Sequence, residues 1–302
     1  VIACSMTRMA NNTSKAETTQ QNNAGPTATL SDGTVIPRLG FGTWELSQEE
    51  AYSSVRTAIA AGFRRIDTAM IYKNEESTGK AIRDAIENGD VTREELTVST
   101  KLWNFDQGYE STFEAFNTSM EKLGLDYVDI YFIHWPYPEK NQYKESFRAM
   151  IELQNQGRIR SLAVCNFYPE TLDELVAENN KTPTINQIEL HPGFSQAAIR
   201  SFDDQHSILT ESWSPLAQGK YFDEPVIKDL AAKYGKTPAQ IVLRWHLDMG
   251  LSVLTRSKSK EHVESNFDIL DFSLTADEVE QITALDREDG RIGADPSTAN
   301  FE

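Results

Sequence analysis

Residues 62–101 read GFRRIDTAMIYKNEESTGKAIRDAIENGDVTREELTVSTK, and this stretch decides the fold. It opens on a short β-rich run ending at Asp67. A helical stretch over 74–88 follows, with apolar residues at three- and four-residue spacing, and a second β-rich run over 96–100 closes the unit. Strand, helix and strand in such close succession are the building unit of a parallel sheet.

Outward from this unit the alternation continues in both directions. Strands are expected near 38–41, 64–67, 96–100, 128–133, 159–164, 185–189, 208–213 and 251–255. Helices are expected over 48–61, 74–88, 108–123, 144–156, 169–179, 196–206, 225–246 in two pieces, and 260–267, with a further one over 275–285. Gly62, Gly124 and Gly157 fall where helices commonly end in a left-handed residue, and Thr237-Pro238 supplies an N-cap followed by proline at the first helical position. Ser31-Asp32-Gly33 between Thr27–Leu30 and Thr34–Ile36 marks a hairpin.

Eight strand–helix units in about 250 residues match a closed (β/α)8 TIM barrel, here with an N-terminal β-hairpin and additional C-terminal helices. The rival is an open doubly wound sheet. That fold normally carries a glycine-rich phosphate loop after its first strand, and Gly40-Phe41-Gly42-Thr43-Trp44 lacks the third glycine. The domain expectation is one barrel over 27–302 and a disordered tail over 1–26, which is polar and unpatterned. Val1-Ile2-Ala3-Cys4 has the form of a lipoprotein cleavage-box remnant, but no apolar segment precedes it. Upstream sequence before a start at Met6 or Met9 is the simpler expectation.

Of 302 residues, 39% are hydrophobic and 25% charged, enough for a large core. A net charge of −17 repels a polyphosphate backbone and an anionic membrane surface, so nucleic acid and membranes are not expected partners. Only Cys4 and Cys165 are present, far apart in the chain, which favours a reducing, cytoplasmic compartment over a disulfide framework. Nothing calls for a stable oligomer, and a monomer is expected.

In a barrel the reactive groups gather after the C-terminal ends of the strands. Asp67, Tyr72, Lys101 and His134 stand at such places. Each has a plain structural reading: a cap, a half-buried ring, a rim charge, a satisfied imidazole. Jointly they suit proton delivery to a carbonyl oxygen, since buried Asp and Lys need each other and a lysine ammonium beside a phenol would lower its pKa from about 10. No HExxH helix or paired CxxC argues for a metal.

The stretches GFRRIDTAMIYKNEESTGKAI, TKLWN, KLGLDYVDIYFIHWP, GRIRSLAVCNF, NQIELHP, SWSPLAQG and RSKSKEHVESN carry a resemblance to the aldo-keto reductase superfamily, from about Ala28 to Pro296. The resemblance implies hydride transfer from a reduced nicotinamide to an aldehyde or ketone, with Tyr72 as acid and Asp67, Lys101 and His134 completing a tetrad. It also implies cofactor contacts from Asn166, Gln187, Trp213, Ser214, Leu216, Arg256, Ser257, Lys258, Ser259, His262 and Asn266, with Trp44, Trp103 and His134 lining the substrate pocket. The sequence departs from the family at Cys165, usually serine, and at His262 and Ser265, usually arginine and glutamate. Histidine lacks the fixed charge and bidentate grip of arginine, so the resemblance implies NADP(H) as preferred cofactor with NAD(H) activity measurable. His191, His206 and His246 need no functional role.

The tail DGRIGADPSTANFE is similar to that of 2,5-diketogluconate and methylglyoxal reductases and points to small dicarbonyl or keto-sugar substrates. An NADP(H)-binding sensor or regulatory barrel with little turnover is the alternative from another class, and a barrel hydrolase with paired carboxylates is a third. Cofactor-dependent turnover separates them.

Overall fold

The computed structural model describes residues 24–301. Eight parallel strands close on themselves: β3 (Leu39–Gly42), β4 (Arg65–Asp67), β5 (Thr97–Leu102), β6 (Val128–Ile133), β7 (Ile159–Cys165), β8 (Ile185–Glu189), β9 (Leu209–Trp213) and β10 (Ser252–Thr255), with β10 pairing back onto β3. The antiparallel hairpin β1 (Thr27–Thr29) and β2 (Val35–Pro37) precedes them. The closed barrel with its opening hairpin agrees with the sequence-based expectation, and each barrel strand lies within two residues of its expected limits.

The helices are α1 (Gln48–Ala61), α2 (Glu75–Glu87), α3 (Tyr109–Leu123), α4 (Tyr143–Asn155), α5 (Pro169–Asn179), α6 (Ala197–Gln205), α7 (Pro225–Tyr234), α8 (Pro238–Asp248), α9 (Lys260–Phe267) and α10 (Ala276–Thr283). Their ends obey local chemistry. Ser47 and Glu50 form a capping box at the start of α1, as Thr237 and Gln240 do for α8, each satisfying orphan N–H groups at the helix start. Gly124 ends α3 at φ 64°, where a Cβ would also strike the Arg83 guanidinium.

Two apolar layers follow from strand alternation. Outward-facing residues such as Tyr131, Ile133, Leu162 and Val164 pack with Phe116, Phe147 and Met150 of the surrounding helices. Inward-facing Ile130, Phe132, Ala163, Cys165 and Ile185 meet Leu30 and Ile36, so the hairpin closes the N-terminal end of the barrel. Truncating a fully buried ring such as Phe147 costs about 3–5 kcal/mol by lost transfer energy and cavity formation.

The expected tail falls largely on residues 1–23, which lie outside the described residues, as does Cys4. Residues 24–26 belong to the packed molecule: Ala24 is buried, and the Pro26 carbonyl accepts from Arg38 N at 2.8 Å. Among the described residues no helix is long and apolar enough to cross a membrane, and no cluster of His, Cys, Asp and Glu has metal-ligating geometry.

Candidate active site

A cleft of about 710 Å³ opens at the C-terminal ends of the strands. Register builds its floor. Asp67 pairs with Ser99 in the β4–β5 ladder, so two-residue alternation turns Asp67, Ser99 and Lys101 to the same interior face. Lys101 Nζ lies 2.5 Å from Asp67 Oδ2 and donates to the Thr68 carbonyl at 2.9 Å, while Ser99 Oγ donates to Asp67 Oδ1 at 2.6 Å. Tyr72 ends the 3-10 turn Met70–Tyr72 just beyond β4, with its hydroxyl 3.4 Å from Lys101 Nζ. His134 follows β6, and its ring stands edge-on to Tyr72 at 5.7 Å and to Trp103 at 5.2 Å. The four expected residues therefore meet: Asp67, Tyr72 and His134 line the cleft, and Lys101 is fully buried behind them.

The electrostatics correct one expectation. Burial pushes the Tyr72 phenol up to about 12 even though the Lys101 ammonium pulls the other way. Lys101 cannot win because its charge is already neutralised by the nearer Asp67. For Lys101 itself burial acts downward, but the Asp67 carboxylate and then Tyr72 more than offset it, and its pKa is raised. Burial, and secondarily the Lys101 charge, hold His134 well below the ordinary histidine value, so its ring is neutral at pH 7. The His134 Nδ1 is enclosed and has no hydrogen-bond partner among the described residues.

A side chain to which the sequence reading gave no role ties the rim together. Asn74 is fully buried, donates to the carbonyls of Thr43 at 2.7 Å and Leu46 at 3.0 Å, and accepts from Thr43 Oγ1 and Thr68 Oγ1, each at 3.1 Å. The loop after β3, which carries Trp44, is thus pinned to the loop after β4, which carries Tyr72.

Opposite the tetrad, Asn166 follows β7 in the left-handed region at φ 64°. It donates to the His134 carbonyl at 3.0 Å and accepts from Trp213 Nε1 at 2.9 Å, which fixes the indole at the end of β9. Gln187 lines the cleft from β8, and Ser214 and Leu216 from the loop after β9. That loop is anchored by His246 of α8, whose Nε2 donates to the Pro215 carbonyl and whose Nδ1 accepts from Ser212 Oγ, both at 3.0 Å. Burial drops the His246 imidazole to about 3. His246 thus has a role at the site that its place in a helical run did not reveal.

Of the basic segment, Arg256 lines the cleft, while Ser257, Lys258, Ser259, His262 and Asn266 lie outside the residues that line it. Arg256 rests over the Trp44 ring at 5.3 Å and 3.4 Å from Glu45, and Lys258 is 3.3 Å from Glu50. Ser259 caps α9 by accepting from His262 N at 3.4 Å. Cys165 is buried among apolar side chains, and burial pushes its thiol well up, so it is neither exposed nor poised for oxidation.

The apolar wall contains Trp44 and Trp103 as expected, but also Trp135 and Phe301. Phe301 stacks on Trp103 at 5.8 Å and meets Trp135 edge-on at 5.1 Å, and its carbonyl accepts from Asn104 Nδ2 at 2.9 Å. The segment leading to it is clasped by Glu189, which accepts from Ile292 N at 2.6 Å and Gly293 N at 2.9 Å and touches His191 Nε2 at 2.9 Å. Gly293 is required there, because a Cβ would come within 2.6 Å of the Trp213 ring. Trp135 could have been found by its place directly after a barrel strand. Phe301 had no local signal.

A family model described as the aldo/keto reductase family matches residues 38–287, and the chain belongs to that family. It is 50% identical over 276 residues to the methylglyoxal reductase DkgA of Escherichia coli, covering 90% of this chain and 98% of that protein. Among solved structures, an aldo/keto reductase from Brucella melitensis superposes with a TM-score of 0.82 at 49% identity, over 87% of this chain and all of that one. A Bombyx mori aldo-keto reductase solved in complex with NADP superposes with a TM-score of 0.82 at 36% identity, over 87% of this chain and 93% of that one.

Proposed function

We propose that the protein reduces aldehydes and ketones to alcohols with NADPH, Tyr72 serving as the general acid. The observation that carries this reading is the convergence of the Tyr72 hydroxyl, the Lys101 ammonium and the Asp67 carboxylate on one wall of the cleft, at 3.4 and 2.5 Å. The cleft's donor set fits a dinucleotide. Trp213 offers a flat face held by Asn166, Gln187 and Asn166 offer amides, and Arg256 offers a cation after β10. Ser214 and Leu216 border the same space. Ser257, Lys258, Ser259, His262 and Asn266 continue from Arg256 as the further contacts for a 2′-phosphate and adenine, which agrees with the NADP bound to the Bombyx mori relative.

The bound cofactor supplies the hydride, and the chain supplies orientation and the proton. A phenol with its pKa near 12 keeps its proton through the neutral range, yet yields it to a forming alkoxide, which is far more basic. The phenolate left behind faces the Lys101 ammonium, which Asp67 holds in place. Neutral His134 donates its one N–H to the carbonyl oxygen and aligns it. Trp103, Trp135 and Phe301 shield the carbonyl from water, and their close spacing favours small substrates. Dicarbonyls and keto-sugars are the class we assign, in line with the name of the Escherichia coli relative.

The test is Tyr72→Phe. NADPH oxidation with a panel of small dicarbonyls should lose about a thousand-fold in kcat while NADPH still quenches tryptophan fluorescence. Wild-type turnover in the variant would remove Tyr72 from the acid role. Binding without turnover in the wild type would favour the regulatory alternative.

A further inference from the structure

The barrel interior holds a second ion pair that the reaction above does not use. Arg65 and Glu211 are both fully buried, and Arg65 Nη2 donates to Glu211 Oε1 at 2.8 Å. Glu211 Oε1 also accepts from Gln187 Nε2 at 2.9 Å, and Glu211 Oε2 accepts from Ser252 Oγ at 2.6 Å. Gly40 makes room for the guanidinium, since a Cβ there would stand 3.0 Å from Arg65 Cγ and 2.6 Å from Leu254.

This arrangement is expensive. Arg65 Nε and Nη1 are buried without hydrogen-bond partners among the described residues. An apolar pair of similar volume would pack the interior without that penalty, so stability alone does not account for the two charges. What the pair does is orient an amide. A glutamine side chain offers an oxygen and an N–H2 of nearly equal shape, and either end can face a ligand. A carboxylate only accepts, so Glu211 holds the Gln187 N–H2 and leaves the Gln187 carbonyl oxygen as the end available to the cleft.

We infer that Glu211 is a positioning residue which, through Gln187, selects the N–H2 of the nicotinamide carboxamide, with Arg65 as its counter-ion. The inference rests on reading the cleft as a nicotinamide site. Gln187 touches the cofactor; Glu211 acts only through it. Because the Gln187 oxygen is an acceptor, its complement on the ligand is a donor, and the carboxamide N–H2 is the donor that a nicotinamide carries.

The experiment compares dissociation constants, by tryptophan quenching, for NADPH and for its reduced 3-acetylpyridine analogue, in which a methyl replaces the carboxamide N–H2. Wild type should bind the analogue about ten-fold more weakly, the size of one well-formed hydrogen bond. The double variant Arg65→Met/Glu211→Gln leaves no unpaired buried charge, and its new amide can either donate to Gln187 or accept from it. NADPH binding should weaken there toward that of the analogue, whose own constant stays nearly unchanged. Equal weakening of both cofactors would overturn the inference, because a packing defect does not discriminate between them. An unchanged NADPH constant would overturn it too. Should the double variant fail to fold, Glu211→Asp keeps the charge and shortens the reach, and the same closing of the gap is expected. If NADPH does not bind wild type at all, the cofactor reading fails first, before any variant is made.

Discussion

β4 sends two charges into the barrel two residues apart, and they do different work. Asp67 pairs with Lys101 beside the cleft, where the ammonium still reaches the Tyr72 hydroxyl. Arg65 pairs with Glu211 at a place where both side chains are fully enclosed, and the carboxylate reaches the cleft only by way of Gln187. Both pairs bear the cost of desolvation. The difference lies in what the pair leaves open: one faces the Tyr72 phenol, proposed to give up a proton, and the other faces the Gln187 amide, whose two ends are inferred to stay fixed.

The sharpest way to break this comparison is to remove one partner from each pair. Lys101→Met and Arg65→Met each strand a buried carboxylate and should lose about 3–5 kcal/mol in urea unfolding. Only Lys101→Met should also lose about a hundred-fold or more in kcat. Similar kcat losses in both would mean that the two pairs are one network.

A second test concerns the proton itself. Because Tyr72 titrates near 12, kcat/KM for reduction should stay level through neutral and mildly alkaline pH. A falling limb centred at about 9 would assign the proton to another group.

A third carboxyl shows what burial does where no ion pair forms among the described residues and only the His206 charge acts from a distance. Asp203 is fully buried, and its pKa is pushed up to about 7 by burial, against hydrogen bonds from Thr210 and Asn186. Between the ordinary value of 3.8 and about 7 the folded chain binds the proton more tightly than the unfolded chain does, so stability falls as pH rises through that window. Asp203→Asn should match wild type near pH 4 and exceed it by about 1–3 kcal/mol at pH 8, measured by denaturant unfolding. Asn186 spans Asp203 and the Phe167 backbone, so the same variant tests whether the Asn166 turn depends on that charge. The smallest effect is expected at the aromatic wall, where Phe301→Ala should raise KM for small dicarbonyls about two- to ten-fold with kcat little changed, the size of one aromatic contact.

What the sequence revealed and what it withheld follow from distance along the chain. The strand and helix limits were legible because periodicity, caps and turn residues act over a few positions, as at Ser47–Glu50 and Thr237–Gln240. The meeting of Asp67, Tyr72, Lys101 and His134 was legible because each stands at or just beyond the C-terminal end of a strand in neighbouring units. The Arg65–Glu211 pair went unread: alternation sets Arg65 on the side of Asp67, but its partner stands 146 positions away across the barrel. Phe301 and the His246 anchor depend on how distant segments return to the cleft, and no local pattern records that. The direction of the Tyr72 shift was misread because a nearby ammonium was counted without the carboxylate that already neutralises it.

The Glu189 clasp on Ile292 and Gly293 bears on how the enzyme is assembled. All eight strands are made before the segment that carries Phe301, so a nascent barrel can close while one side of its mouth is still missing. The proposed selectivity for small carbonyls is then complete only when this segment docks onto Glu189. A chain terminated just before Ile292 should purify as a folded protein with a wide, poorly selective opening.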